Sequence, residues 1–187
     1  MPLACREATL GQAYESMRAI NAKPLSVPLI IRLVENPEFD LPGFDVFHGS
    51  TSLETHDYIH ILLGRGVLPK DEAFVIGFTM GSTDLVTATE EKLFGMISKY
   101  LYPKVYKFND DDLRVFRDAV RLGFVSDCRS LAGVDYRALL DKPLGEIRPA
   151  LGIEEDLLRA YYAIEKRRFP DAPESRRLLD PSVPLRA

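Results

Sequence analysis

The chain has 187 residues, 46% of them hydrophobic and 28% charged, with a net charge of −4, which suits one well-buried core better than two. This acidic balance supplies no concentrated basic face for nucleic acid, and two cysteines, Cys5 and Cys128, are too few for a disulfide framework or a cysteine-based metal site. The opening residues lack the pattern of a signal peptide and no window reaches about 18 uninterrupted apolar residues, so the expected location is the cytoplasm, with peripheral contact at the inner membrane.

In chain order, residues 6–22 place Leu10, Ala13, Tyr14, Met17 and Ile20 at three- and four-residue steps, the signature of an amphipathic helix. The stretch VPLIIRLVE at 27–35 reads as a short helix or, from its β-branched run, as a strand. Residues 36–50 are rich in Pro, Gly, Asn and Asp and read as a loop with Phe anchors. A helix capped by Thr51 or Ser52 is predicted to run to about Leu63 and to stop at Gly64-Arg65-Gly66. After Pro69 the chain reads as two helices, or one interrupted near Gly81-Ser82, ending before Pro103. Its first half, AFVIGFTM, is apolar on nearly every side, as befits a buried helix or one that lines an apolar cavity.

Residues 110–124 start with acids and carry Leu113, Phe116, Val120 and Phe124 on one face. Two short helical pieces joined at Lys142-Pro143 follow over 135–153, then a final helix with acids first and Lys-Arg-Arg last, the polarity that the macrodipole favours. Without a repeat or an alternating strand pair, the expected architecture is all-α. A single helical domain with an apolar cavity spans residues 1–169, and a Pro- and charge-rich tail over 170–187 is expected to be extended or disordered.

The stretch HDYIHILLGRGVLPKDE, residues 56–72, holds two of the chain's three histidines. On a helix, His56 and His60 share one face and Asp57 projects beside them, so two imidazoles can reach one cation while a carboxylate closes a third side. Glu72 arrives on the next helix after a turn that Gly64 and Gly66 ease. This donor set suits zinc and also accepts Fe or Mn; Asp57 is either a ligand or a group that fixes a histidine tautomer from outside. A zinc-protease helix would place Glu, not Asp, directly after the first His. A metal phosphohydrolase assembled from His48, His56, Asp57 and Asp84 is a rival built on single residues at free spacing.

His-Asp-x-x-His followed after eleven residues by Glu resembles the hallmark of the ubiquinone (coenzyme Q) biosynthesis protein 4 family. The stretch DYRALLDKPLGEIRPALGI is similar to that family's C-terminal segment, and the resemblance spans about residues 6–165. It implies an α-helical protein that holds a metal, zinc first, through His56, Asp57, His60 and Glu72 beside a polyprenyl cavity. The implied activity is oxidative decarboxylation at C1 of a polyprenylated hydroxybenzoate. Implied partners are a polyprenyl lipid or prenylated quinone precursor, the membrane face, and a homodimer or biosynthetic complex.

The residues allow a matching lipid site. Phe74, Gly77, Phe78, Met80 and Gly81 could form a wall that a prenyl chain approaches, against the alternative of ordinary core packing. Arg65 and Arg148 could meet an anionic head group, against a solubilising surface role. No catalytic residue is assigned. The alternative function is a non-catalytic isoprenoid-lipid-binding or scaffold protein in which a structural metal staples the hairpin.

Overall fold

Local capping sets where the helices of the computed structural model begin and end; it describes residues 2–21, 53–83 and 108–179. Among these lie α1 (Leu10–Asn21), α2 (Leu53–Leu63), α3 (Pro69–Gly81), α4 (Asp110–Val125), α5 (Leu144–Ala150), α6 (Glu155–Arg168) and α7 (Pro173–Arg176), with a 3-10 turn at Arg137–Leu139. No strand occurs among the described residues; one isolated antiparallel bridge pairs Thr9 with Pro143. The all-α expectation therefore holds. The readings at 27–35 and 36–50, the caps at Thr51 and Ser52, and a second helix after Gly81 fall outside the described residues.

The first helix starts four residues later than its periodicity suggests. Thr9 caps it, its hydroxyl accepting from Gln12 N at 3.2 Å while the Gln12 side chain accepts from Thr9 N at 3.1 Å. Residues before the cap run beside α5 instead, where the Arg6 and Ala8 carbonyls accept from Gly145 N and Leu144 N, each at 2.9 Å. At α4 the cap is Asn109, which accepts from Asp111 N and Asp112 N while the Asp112 carboxylate accepts from Asn109 N at 2.9 Å. Three acids in that first turn favour the positive end of the helix dipole.

The most extensive helix–helix contact joins α3 to α4, and small residues make it. A β-carbon at Gly77 would collide with the Phe116 carbonyl oxygen, one at Gly81 with that of Val120, and one at Gly123 with that of Phe78. The two backbones touch along this stripe, a close approach that only hydrogen-sized side chains permit. Leu113, Phe116 and Val120 are buried as the periodicity predicts, but Phe124 is 59% exposed. Backbone contact at Gly123 ends the buried face one residue before it.

The tail needs a second correction. Instead of running extended or disordered from residue 170, the chain forms α7 and buries Glu174, Ser175, Arg177 and Leu178. Its polar groups find partners in the helical body: Glu174 accepts from Lys70 N at 3.5 Å and Ser175 Oγ donates to Glu165 at 2.9 Å. Charge that composition alone reads as unburiable is here paired. Residues 180–187 lie outside the described part. No described helix is long and apolar enough to cross a membrane.

Candidate metal centre

Two helices and one turn build the site. On α2, His56 and His60 are one helical turn apart and their rings meet edge to face with centroids 4.6 Å apart. The helix ends in a Schellman turn: Gly64 takes φ 71°, Arg65 N donates to the His60 carbonyl at 2.9 Å, and Gly64 N donates to that of Ile61 at 3.2 Å. The chain reverses there and Glu72 enters in the first turn of α3, where the helix dipole favours a carboxylate. Gly66 serves differently from Gly64: its missing side chain leaves room for the Arg177 guanidinium.

Three donor atoms converge. His56 Nε2 lies 3.0 Å from Glu72 Oε2, 2.9 Å from His60 Nε2, and His60 Nε2 lies 3.4 Å from Glu72 Oε1. Ligands on a tetrahedral ion at bond lengths of ~2.0–2.1 Å stand ~3.3 Å apart, so these spacings are close to the edges of a coordination polyhedron. All three residues are buried, His60 almost completely.

With Glu72 anionic, no placement of protons on the two imidazoles satisfies all three contacts. A neutral imidazole nitrogen carries either a proton or a lone pair, not both. If His56 Nε2 is protonated towards Glu72, it has no lone pair for His60. If His60 Nε2 is protonated too, two N–H groups face each other at 2.9 Å. If it is not, its lone pair faces Glu72 Oε1, a buried atom that lacks a hydrogen-bond donor. A cation among three lone pairs satisfies every contact at once, and two imidazoles with one carboxylate suit Zn²⁺, Fe²⁺ or Mn²⁺. The residues present thus fit a divalent metal.

The electrostatics couple Glu72 to the two histidines. Burial pushes the Glu72 carboxyl up, but the adjacent His60 and His56 outweigh it and hold the group below its ordinary range. Burial pulls His60 down, and the Glu72 charge, with weaker help from Asp71 and Asp57, raises it overall. Both shifts express one attraction between an anion and whatever positive charge sits beside it.

Asp57 is not among the converging donors, which are His56, His60 and Glu72. Successive helical residues are ~100° apart around the axis, so Asp57 points well off the face that His56 and His60 share. It is partly buried, and that burial raises its carboxyl despite the two histidines. Asp57 thus stands outside the converging donors, and His60 Nδ1, which an outer carboxylate would accept from, has no hydrogen-bond partner. His48 and Asp84, needed by the phosphohydrolase pattern, lie outside the described residues.

The five residues expected at a lipid wall are occupied by the protein's own packing. Phe74 and Phe78 stack with centroids 5.9 Å apart, and Phe74 also stacks on Tyr161 at 5.4 Å. Gly77 and Gly81 face the α4 backbone, as above, and Met80 is buried in the core. Arg65 is fully buried, not a surface cation. Its guanidinium donates to both Glu165 oxygens at 3.0 and 2.6 Å and lies between the rings of Phe74 and Tyr162, 3.9 and 4.3 Å from their centroids.

Arg148 is likewise internal. It donates to the Leu62 carbonyl at 3.0 Å and the Leu3 carbonyl at 2.8 Å, while the Tyr162 hydroxyl donates to the Leu63 carbonyl. Together they satisfy carbonyls that the end of α2 leaves without helical partners and fix the helix that carries both histidines. Sequence reasoning missed Glu165, Asp71 and Arg177. Glu165 had a signal: it follows Tyr161 and Tyr162 by four and three residues and Leu158 by seven, on the apolar face of α6. An acid on that stripe asks for a buried cation.

Fold and site together define an all-α protein with a buried two-histidine, one-carboxylate centre on a helical hairpin. Comparison with protein-family models, curated proteins and solved structures gives no match, so the functional reading rests on this geometry and on the motif.

Proposed function

We propose that this chain is a metal-dependent protein of quinone biosynthesis that acts on a polyprenylated hydroxybenzoate, with His56, His60 and Glu72 as the ligands of a divalent metal, zinc first. The observation that carries the proposal is the convergence of three donors without Asp57. Three protein ligands leave a coordination position free for water or substrate, the pattern of catalytic rather than structural zinc. A supporting observation is that the two stretches on which the family resemblance rests meet: Arg148, from the second, binds the carbonyls at the end of the histidine helix.

A bound divalent ion supplies Lewis-acid stabilisation of negative charge on a substrate oxygen, the charge that develops when a ring carboxylate leaves as CO₂. The chain's own residues prepare the site for it. Glu72, held anionic, and the two imidazoles present lone pairs. Arg148 and Tyr162 hold α2 in place, and burial of His60 keeps water from its ring. Phe74, Gly77, Phe78 and Gly81 pack into the protein's own core and are not assigned to hold a prenyl tail.

Native mass spectrometry of the purified chain tests the reading. The expected result is one divalent metal per chain, lost in His60→Ala, and release of CO₂ when the loaded protein meets a prenylated hydroxybenzoate together with O₂, the two-electron oxidant that redox-inert zinc cannot replace. Metal retained in His60→Ala overturns the ligand assignment. Metal without CO₂ release turns the reading towards the scaffold protein with a stapled hairpin.

A further inference from the structure

Glu72 is positioned by its neighbour. Asp71 is fully buried, and its Oδ2 accepts from Leu68 N at 3.1 Å and from the Arg177 guanidinium. Its Oδ1 lies 3.8 Å from Arg65 Nη1. One carboxylate therefore ties the first turn of α3 to the hairpin turn and to the segment after α6. Arg177 reaches Asp71 through the space left by Gly66. The segment is itself anchored, because Ser175 Oγ donates to the same Glu165 that pairs with Arg65.

We infer that residues 170–179 act as a clasp on the metal site, with Arg177 the positioning residue that holds Glu72, through Asp71, at coordinating distance from His56 and His60. This rests on the metal reading proposed above and adds a positioning element outside the motif. A purely electrostatic role for Arg177 predicts the opposite sign: removing a cation near the centre would tighten binding of another cation. Positioning predicts weaker binding.

The test uses full-length protein and Co²⁺, whose d–d absorption reports ligand number and geometry. Wild type is expected to bind one Co²⁺ with tetrahedral-type bands. Arg177→Ala, folded by circular dichroism, is expected to bind roughly 10- to 100-fold more weakly with altered bands, and Arg177→Lys to recover part of the loss. Gly66→Ala keeps every charge but displaces the guanidinium, so it should behave like Arg177→Ala; it decides the matter if Arg177→Ala does not fold. Unchanged bands and affinity, or tighter binding, in these variants overturn the inference even where thermal stability falls. A wild-type protein that takes up no Co²⁺ overturns the metal reading itself, and the clasp with it.

Discussion

Two buried polar clusters share the α2–α3 hairpin and treat charge in opposite ways. Around Arg65, two cations face two anions: Arg65 pairs with Glu165 and Arg177 with Asp71. Around His60, one carboxylate faces two imidazoles that have no fixed charge, and both His60 Nδ1 and Glu72 Oε1 lack a hydrogen-bond partner. The first cluster is balanced in charge, although Arg65 Nε, Asp71 Oδ1 and Arg177 Nε also lack hydrogen-bond partners, and it serves as scaffold. The second has one fixed negative charge, offset only when a histidine is protonated or a cation is bound. Burial alone does not separate them, since both are buried; the count of opposing charges does.

The contrast is tested most severely at Glu165. Glu165→Ala leaves buried Arg65 with only the looser Asp71 contact at 3.8 Å, so about 3–5 kcal/mol of stability should be lost in chemical denaturation. Replacing both partners by apolar residues of similar volume should recover most of it, as expected of a scaffold pair, whereas no apolar replacement of the His60 cluster should restore metal binding.

A smaller loss is expected at the α3–α4 stripe. In an exposed helix Gly→Ala stabilises by ~1 kcal/mol. Gly81→Ala instead drives a methyl into the Val120 carbonyl and should cost about 1–3 kcal/mol, without altering bound metal measured by elemental analysis.

The pH dependence should reverse on metal loading. In metal-free protein the raised His60 pKa means that its pairing with Glu72 stabilises fully below the unfolded value of 6.5 and fades as pH rises through the folded value. On the acid side the contribution lasts until pH falls through the depressed Glu72 value. Metal-free stability should thus decline with rising pH around neutrality, by about 1.4 kcal/mol per unit of pKa displacement. With zinc bound, the ligands must be deprotonated, so stability should rise over the same range. Melting curves with and without zinc between about pH 5 and pH 9 check both slopes; parallel slopes would mean that His60 is not a ligand.

The smallest effect is expected at Asp57. Asp57→Asn should keep one metal per chain and weaken affinity by no more than about tenfold in a zinc titration. Loss of the metal would place Asp57 among the ligands.

Much of this was legible in the sequence. The periodicity of α4, the charge polarity of α6, the acids that open both, and the break at Lys142-Pro143 follow from local chemistry and recur in the structure. The His56–His60–Glu72 convergence was readable because helix spacing and a glycine turn fix it locally. What was not readable depends on distant partners. Arg65 finds Glu165 one hundred residues away, and Arg177 finds Asp71 from a segment whose composition reads as disordered. Gly77 and Gly81 are the same kind of case: small residues admit a lipid chain or a second helix equally well, and only the position of α4 chooses.

The account's central claim is that one cation sits among three side chains. Anomalous diffraction at the zinc edge, from crystals of protein purified without chelators, tests it directly. A single peak ~2.0–2.2 Å from His56 Nε2, His60 Nε2 and a Glu72 oxygen, with Asp57 outside that sphere, is the predicted result. A peak elsewhere, or none after zinc loading, contradicts it.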